Sequence, residues 1–479
     1  MTVEVIGILT LLIALWSMSR EPDFIVYAFI FATLLGSAAA SVLTALGGTN
    51  ISPAHLLLGF LAFKLISQQT VLQNAIRETA IGRPCFWLLL TTIYAVLSAY
   101  FMPRLFAGQT LIFTVREALS AYGTPLEPAM SNLTQSIYLV ADFICFFVLC
   151  GYAAEREGHR TLGNALLICA FLNLVFAALD LLTYATHTTE LLSFIRNANY
   201  AMLITGNELA GFKRIVGSFV EASAFGAVTL SYFAFTSRLW LLGVRTHITL
   251  PLSLVSLCAL VFSTSGTAYV GLVVFLFLTF GGTILRAALR PMTRQMMLFI
   301  VGAPIVVLIL GVAIALNDDA SSYVMDLADT IFLNKMSTGS GIERSTWNRQ
   351  AVQVFFDTYG FGAGNGSLRA SSFPLAVLAS LGIVGSALFT FFFVTLFAQK
   401  PSRAEDPLDL ANRQAAKSAC LAGLITATTS GALTDMGLLF FIFGALACAK
   451  RVYVPASAAS LGGRRGDGGI VAMGRSVTS

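Results

Sequence analysis

MLFIVGAPIVVLILGVAIAL, residues 297–316, is a run of twenty residues without a charged side chain. An α-helix of about 20 apolar residues is long enough to cross the hydrocarbon core of a bilayer. The rest of the chain has the same character, because 57% of its 479 residues are hydrophobic and only 11% are charged. A soluble chain of this length cannot bury so much apolar surface. The composition therefore predicts an all-α polytopic membrane protein and excludes a soluble enzyme, a nucleic-acid binder and a disordered chain.

Runs of similar length, bounded by charged or turn-forming residues, recur along the chain and predict about 12–13 transmembrane helices. One of these runs contains Lys64, and the last two are short enough to form a re-entrant pair. The predicted spans are 2–18, 23–45, 53–70, 85–102, 134–154, 161–184, 214–236, 246–263, 266–285, 297–316, 373–398, 416–432 and 436–449.

Lysine and arginine predict the orientation of these spans. Of the 29 basic residues, 19 lie in the tail or in connections that share one side of the membrane, which we predict to be the cytoplasm. Nine others lie in or beside three long segments on the opposite side, 103–133, 185–213 and 317–372. We therefore predict a transmembrane domain, 1–449, with a large outer loop at 317–372. The Gly-rich, basic tail 450–479 is predicted to be disordered in the cytoplasm.

The outer loop 317–372 contains two amphipathic helical pieces, 321–333 and 343–357, joined by a Gly/Ser hinge. The second piece presents one apolar face, formed by Trp347, Ala351, Val354 and Phe355. It ends at Tyr359-Gly360, and the FGAGNG that follows predicts a mobile, turn-rich stretch. Such a loop can cover a site as a lid, or it can form an ordinary amphipathic surface helix with solvated charges.

The predicted span that opens at residue 214 carries charge inside an apolar helix. At about 100° per residue, Arg214, Ser218 and Glu221 share one face, with Glu221 two turns deeper than Arg214. An intramembrane carboxylate usually faces a cavity or a partner. Glu221 is therefore a candidate site residue, or else it is neutral or paired with Arg214 or another helix. Lys213 beside it, and Asp180 near the outer end of its own span, are candidate substrate-binding residues.

The outer arginines favour an anionic substrate, because guanidinium groups are permanently charged and match phosphate in shape. Several of them at the membrane boundary fit a lipid-linked phosphate or pyrophosphate, and the outer aromatic side chains fit sugar rings. The sequence has no P-loop, GxSxG, HExxH or DxD-like metal pair, and its four histidines are scattered. This pattern argues against a nucleotide-sugar enzyme or an ATP-driven pump and predicts no metal site and no cofactor.

Three stretches of this chain, at 214–219, 262–272 and 343–385, are similar to segments of one known family. Together they resemble the bacterial O-antigen polymerase/ligase superfamily, which includes the Wzy-type exopolysaccharide polymerases. RIVGSF at 214–219 resembles the family's opening of a central span, and FSTSGTAYVGL at 262–272 is similar to its Ser-rich turn between two spans. ERSTWNRQAVQVFFDTYGFGAGNGS at 343–367, followed by LASLGIVG at 378–385, looks like its large periplasmic loop and next helix. SNLTQSIYLV at 131–140 is also similar to exopolysaccharide polymerases.

The resemblance implies a membrane glycosyltransferase in the bacterial inner membrane, with its active site facing the periplasm. Such an enzyme transfers a glycan from undecaprenyl pyrophosphate to a sugar hydroxyl of an acceptor and needs no metal or nucleotide. The family's essential arginines map onto Arg214 and Arg344, and Arg349 lies on the same helix as Arg344. We predict Arg214, Arg344 and Glu221 as catalytic residues. The predicted substrate-binding residues are Lys213, Ser218, Arg349, Trp347 and Asp180.

One departure from the family pattern favours a polymerase over a ligase. Ligases of the family carry a His-Asn pair before the helix with Leu-Gly-Ile-x-Gly, whereas this chain has Ser371 and Ser372 there. The expected partners are an undecaprenyl-pyrophosphate-linked oligosaccharide, membrane lipid and, as a candidate, a chain-length regulator, with no nucleic acid. The alternatives are a ligase that uses another acceptor and a flippase or transporter of lipid-linked oligosaccharides.

Overall fold

The fold was determined from a computed structural model, which describes residues 2–43, 48–114, 123–198, 208–209, 212–289, 291–318, 321–322, 325, 339–400 and 406–449. The predicted helical piece at 321–333 lies mostly outside the described residues, and the predicted tail at 450–479 lies wholly outside them.

The described chain is built almost entirely of α-helices, as the composition predicts. In chain order they are α1 (Val5–Met18), α2 (Pro22–Ala32), α3 (Pro53–Ile66), α4 (Gln69–Glu78), α5 (Pro84–Leu105), α6 (Met130–Ala153), α7 (Arg156–Ala185), α8 (Ala222–Leu241), α9 (Thr246–Phe262), α10 (Gly266–Leu289), α11 (Arg294–Ala315), α12 (Gly339–Asp357), α13 (Phe373–Ala398), α14 (Pro407–Ser430) and α15 (Leu438–Cys448). A 3₁₀ helix, Thr189–Ile195, follows α7, and α11 contains a π-helical turn at Leu298–Gly302.

Short antiparallel strands connect some of these helices. One sheet has three strands, β1 (Thr2–Val3), β2 (Ser41–Leu43) and β3 (Thr49–Ile51), in the order β1-β2-β3. Two hairpins pair β4 (Leu111–Ile112) with β5 (Thr124–Pro125) and β6 (Glu208–Leu209) with β7 (Phe212–Lys213). None of these strands is longer than three residues, so the fold class is all-α.

Six of the described helices are long and apolar enough to cross a membrane: α5, α6, α7, α10, α11 and α13. α3 and α4 together form a seventh candidate that is bent by 104°. Four shorter apolar helices, α1, α2, α9 and α15, add to this set. The chain is therefore a multi-pass membrane protein, and the predicted total of 12–13 spans stays a prediction.

Two predicted spans are interrupted in the structure. The run 53–70 ends as a helix at Ile66, and the chain then turns sharply into α4, whose polar residues prevent it from continuing as an apolar span. The run 23–45 is helical only to Ala32 and ends in strand β2. The buried turn between them passes so close to Phe219 that a Cβ atom on Gly36 would lie 2.5 Å from its ring. Apolar composition predicted burial correctly here but not helix continuity.

Aromatic side chains fill the centre of the bundle, where α8 packs against α9, α10 and α14 and where α15 packs against α6. The ring of Phe443 lies 5.4 Å from that of Phe235 and 5.8 Å from that of Tyr232. Because lipid tails are as apolar as these side chains, close van der Waals packing rather than water exclusion holds membrane helices together. By contrast, α11 buries no side chain between Leu298 and Ala315, as expected of a helix that faces lipid all round.

The Gly-rich segment 360–367 is turn-rich, as predicted, and all of its residues except Phe361 are buried and closely packed; its predicted mobility stays a prediction. Helix α13 is kinked at Gly382 (φ 63°, ψ −161°), which leaves the carbonyl groups of the preceding turn without helical partners. The amides of Ala363 and Gly364 donate to the carbonyls of Ala379 and Ser380 at 2.8 and 2.9 Å. The glycines thus allow a main-chain segment to lie against a broken helix, and this contact anchors the loop that carries α12.

Candidate functional site

The segment 214–221 is not helical, which corrects the prediction that a span begins at Arg214. Helix α8 begins at Ala222, and Glu221 is the residue that precedes it. Gly217 has a φ of +59°, and the amides of Val216 and Gly217 donate to one carboxylate oxygen of Asp180 at 2.8 and 3.1 Å. Because this carboxylate binds the main chain in an extended turn, the helix cannot start earlier. Arg214 and Glu221 are therefore the two ends of a buried loop and not two levels of one helix.

Asp180 holds this loop in place. It is fully buried on α7, and its other oxygen lies 2.8 Å from Arg196 Nη2 and 3.6 Å from Lys213 Nζ. Arg196 also donates to the carbonyl of Gly217. The two cations and two amides around this buried carboxylate balance its negative charge and satisfy its hydrogen bonds. Asp180 therefore positions the loop, and its predicted contact with a substrate stays a prediction.

Lys213 and Ser218 are likewise occupied by contacts within the protein. Lys213 Nζ donates to the carbonyl of Arg214 at 3.0 Å and lies above the ring of Tyr184. Burial lowers the pKa of Lys213, and the charge of Asp180 opposes that change. Ser218 is fully buried and donates to the carbonyl of Leu34. Both residues help to fix the loop, and their predicted contact with a substrate stays a prediction.

Arg214 reaches from this loop to the turn between α9 and α10. Its Nη2 lies 3.4 Å from the carbonyl oxygen of Thr264, a residue with a φ of +46° in the buried turn at 263–265. Two stretches that are distant in sequence, RIVGSF and the Ser-rich turn, are thus in contact. Tyr269, in the first turns of α10, lies within electrostatic range of Arg214.

Arg344 and Arg369 belong to the predicted outer loop 317–372 and lie near Arg214. Arg344 is on α12 and lies within electrostatic range of both Arg214 and Arg369. The amide of Arg369 donates to the carbonyl of Phe113 at 2.9 Å, and its guanidinium group stacks on Trp347. Three guanidinium groups from separate parts of the chain are therefore gathered at one end of the bundle.

Glu221 faces this cluster of Arg214, Arg344 and Arg369, which we call the arginine cluster. The Glu221 carboxylate is half-buried, accepts a hydrogen bond from Ser223 and lies within electrostatic range of Arg214 and Arg369. Among the described residues, no carboxylate lies within 4.0 Å of any guanidinium nitrogen of the arginine cluster. The charges therefore attract each other across a gap and are not closed into a salt bridge.

Two atoms of the arginine cluster have unused hydrogen-bonding capacity. The Nε atoms of Arg214 and Arg369 are buried and have no hydrogen-bond partner in the described part of the chain. Burial lowers the pKa of both guanidinium groups, while the charge of Glu221 opposes this change. Each group still remains charged at neutral pH. A buried donor without a partner is costly, so an anion bound in the gap would be stabilised.

Of the remaining predicted residues, both on helix α12, Trp347 lies at the arginine cluster and Arg349 does not. Trp347 lies on the same face as Arg344, and its ring packs against the guanidinium group of Arg369. Asn348 accepts a hydrogen bond from the Ser371 amide at 2.8 Å. Ala351 and Val354 are buried on this face, as predicted. Arg349 is exposed and lies about 140° around the helix from Arg344, so the structure does not bring it to the arginine cluster.

Sequence reasoning missed Arg369 as a site residue, although it counted Arg369 among the outer basic residues. No motif marks this arginine, and only the packing of the Gly-rich segment brings it to Trp347. Its position just after that segment was the available signal.

A second polar cluster lies between α3, α6 and the turn before α15, and it was also missed as a group. Asp142 on α6 is buried and lies within hydrogen-bonding distance of Asp435, which in turn lies within electrostatic range of His55. Ser52 Oγ is 2.7 Å from His55 Nδ1. These residues come from three distant parts of the sequence, so their separate positions in apolar runs gave no sign of their proximity.

In the described part of the chain, no three His, Cys, Asp or Glu side chains are arranged to hold a metal ion. Comparison with models of known protein families and with curated proteins finds no match to the chain.

Proposed function

We propose that the protein is a polysaccharide polymerase of the bacterial inner membrane. It transfers an undecaprenyl-pyrophosphate-linked glycan to a sugar hydroxyl of another lipid-linked repeat unit at the periplasmic face. The observation that carries the proposal is the arginine cluster, which faces Glu221 across a gap and has two buried Nε–H donors without partners. This arrangement fits a dianionic leaving group beside a hydroxyl nucleophile.

In the proposed reaction, Arg214, Arg344 and Arg369 bind the pyrophosphate of the donor lipid. The acceptor hydroxyl oxygen attacks the anomeric carbon, and its proton passes to the Glu221 carboxylate. The bond between the anomeric carbon and the pyrophosphate oxygen breaks, and undecaprenyl pyrophosphate leaves with the bonding electron pair. Fixed guanidinium groups stabilise the negative charge that develops on that oxygen.

The neighbouring aromatic side chains support a sugar substrate. Trp347 is half-buried beside Arg369, and Tyr269 lies near Arg214. Sugar rings pack well on such side chains because aromatic faces are apolar and their edges tolerate polar neighbours. The site therefore offers surfaces for both the glycan and the diphosphate.

The interior of the bundle supports a transferase over a flippase. A flippase needs a polar path between the two ends, but below the arginine cluster α8, α9, α10 and α14 meet through an apolar group of side chains. This group consists of Leu230, Phe233, Ala234, Leu260, Ala268, Leu272, Phe275 and Ala422. The ligase alternative shares the proposed donor chemistry and differs only in its acceptor.

The test is reconstitution of the purified chain with a synthetic undecaprenyl-pyrophosphate repeat unit, with the products resolved as a gel ladder. Wild-type protein should produce a ladder of lengthening chains. Arg214→Ala, Arg344→Ala and Arg369→Ala should each lower the rate about 100- to 1,000-fold, as loss of an oxyanion donor does. Arg104→Gln is the matched control, because Arg104 is an exposed arginine that stacks on Tyr100. Equal rates for Arg344→Ala and wild type would refute the proposal.

A further inference from the structure

A second basic site lies at the opposite end of the bundle from the arginine cluster. Arg238, in the last turn of α8, is about 25 Å along the helix axis from Glu221. Beside it, between the ends of α8, α10 and α14, is a cavity of about 700 Å³. Pockets for small ligands typically measure about 300–1,000 Å³, so this space is large enough for a lipid headgroup.

The described side chains that line the cavity carry charge of one sign only. Its basic side chains are Arg238, Arg286, Arg413 and Lys417, and of the described residues that line it none is acidic. Arg238 and Arg286 are close enough to repel each other. Arg238 donates to Gln414 Oε1 at 3.1 Å, which satisfies one hydrogen bond but neutralises no charge.

Two of the four cations have a clear structural task. Arg413 donates to the carbonyls of Ala447 and Ala449 at 2.9 and 2.6 Å, and Lys417 donates to those of Phe397 and Gln399 at 2.9 and 2.6 Å. Both thus stabilise the C-terminal ends of α15 and α13, where free carbonyl groups attract positive charge. Arg238 and Arg286 are on two other helices that line the cavity, α8 and α10.

The walls of the cavity are apolar and continue onto the outer surface of the bundle. Leu285 and Leu289 line it and are 63% and 75% exposed. Further along α10, Phe277 is 77% exposed, as expected of a side chain that faces lipid tails. A ligand with a charged headgroup and an apolar chain can therefore enter from the membrane and place each part against a matching surface. A free phosphate ion would use only the basic side chains.

We propose that this cavity binds the phosphate headgroup of an anionic membrane phospholipid, with Arg238 and Arg286 as its ligands. Basic pockets between transmembrane helices are a recurrent way of holding such headgroups. The lipid phosphate would relieve the repulsion between the two arginines and tie α8 to α10 at this end. The proposal is independent of the polymerase function, because none of these residues belongs to the arginine cluster.

The test is native mass spectrometry of the purified full chain titrated with phosphatidylglycerol, phosphatidylethanolamine and inorganic phosphate. Wild type should retain phosphatidylglycerol more strongly than the other two. Arg238→Gln with Arg286→Gln should weaken that binding roughly 25-fold, at about fivefold for each charge removed. Arg77→Gln, at an exposed arginine on α4 outside the cavity, should leave the binding unchanged.

A second measurement uses wild-type protein alone, so that poor folding of a variant does not decide the result. Phosphatidylglycerol should raise the melting temperature of the wild type in a concentration-dependent way, and phosphatidylethanolamine should not. Equal binding of the two lipids, or unchanged phosphatidylglycerol binding by the folded double variant, overturns the proposal. Equally strong binding of inorganic phosphate overturns its assignment to a lipid.

Discussion

The guanidinium group of Arg369 lies over the indole ring of Trp347, with Cζ 4.0 Å from the ring centroid. The two residues belong to different parts of the chain, since Trp347 is on α12 and Arg369 follows the buried Gly-rich segment. A cation over an indole ring is stabilised by about 0.5–2 kcal/mol. This contact thus holds an arginine that no motif marked beside Arg344, and it joins the outer loop to the candidate active site.

Replacing Trp347 should weaken this arrangement without removing a charge. We expect Trp347→Ala to lower polymer formation about tenfold, because Arg369 loses the ring that orients it. Trp347→Phe should retain more activity, since a smaller aromatic face remains. Initial rates with a synthetic lipid-linked repeat unit measure both variants. If Trp347→Ala matched wild type while Arg369→Ala were inactive, the ring would have no positioning role.

Glu221 should matter for chemistry more than for binding of the donor. The variant Glu221→Gln keeps the size of the side chain and its contact with Ser223 but cannot accept a proton. Loss of a general base lowers rates about 100- to 10,000-fold. We therefore expect a fall of this size in kcat, with little change in the Kd of the donor lipid measured on the same preparation. A variant that loses donor binding and keeps kcat would show that Glu221 acts as a binding group.

Asp180 should be essential for folding stability. It is fully buried and bonded to Arg196, Lys213 and two main-chain amides, so Asp180→Asn leaves buried positive charge without its counter-ion. Breaking a buried ion pair in this way costs about 3–5 kcal/mol of stability. Thermal unfolding in detergent should show a clearly lower melting temperature. An unchanged melting temperature with lost activity would instead support the substrate-binding role predicted from the sequence.

Two glycines provide a matched test of the buried Gly-rich segment. Gly366 has a φ of +77°, and a Cβ atom there would lie 2.4 Å from the carbonyl oxygen of Ser131. Gly281, on α10, has open space around the same position. Gly366→Ala should therefore lower the melting temperature strongly, whereas Gly281→Ala should leave it unchanged or raise it. Equal effects of the two substitutions on thermal unfolding would contradict the tight packing described for this segment.

The sequence predicted helices well where apolar residues continue without interruption. The run 373–398 is a helix with the predicted ends, and the apolar face of α12 is the predicted one. Prediction was wrong at 214–221, and it did not foresee the close packing of 360–367, because in both segments the main chain bonds to a partner outside the local pattern. These partners are Asp180 and the kinked helix α13, about which periodicity contained no information.

By itself, the sequence determined that the chain is helical and enters a membrane, because these properties depend on composition and on hydrogen bonding within each helix. It also singled out Arg214 and Glu221, whose charges are conspicuous among apolar residues, and the family resemblance added Arg344. Only the tertiary structure decided that Arg369 joins them, that Asp180, Lys213 and Ser218 support the loop, and that Arg349 points elsewhere. The reason is that hydrogen bonds, ion pairs and ring stacking act over a few ångströms in space, whatever the separation of the residues along the chain.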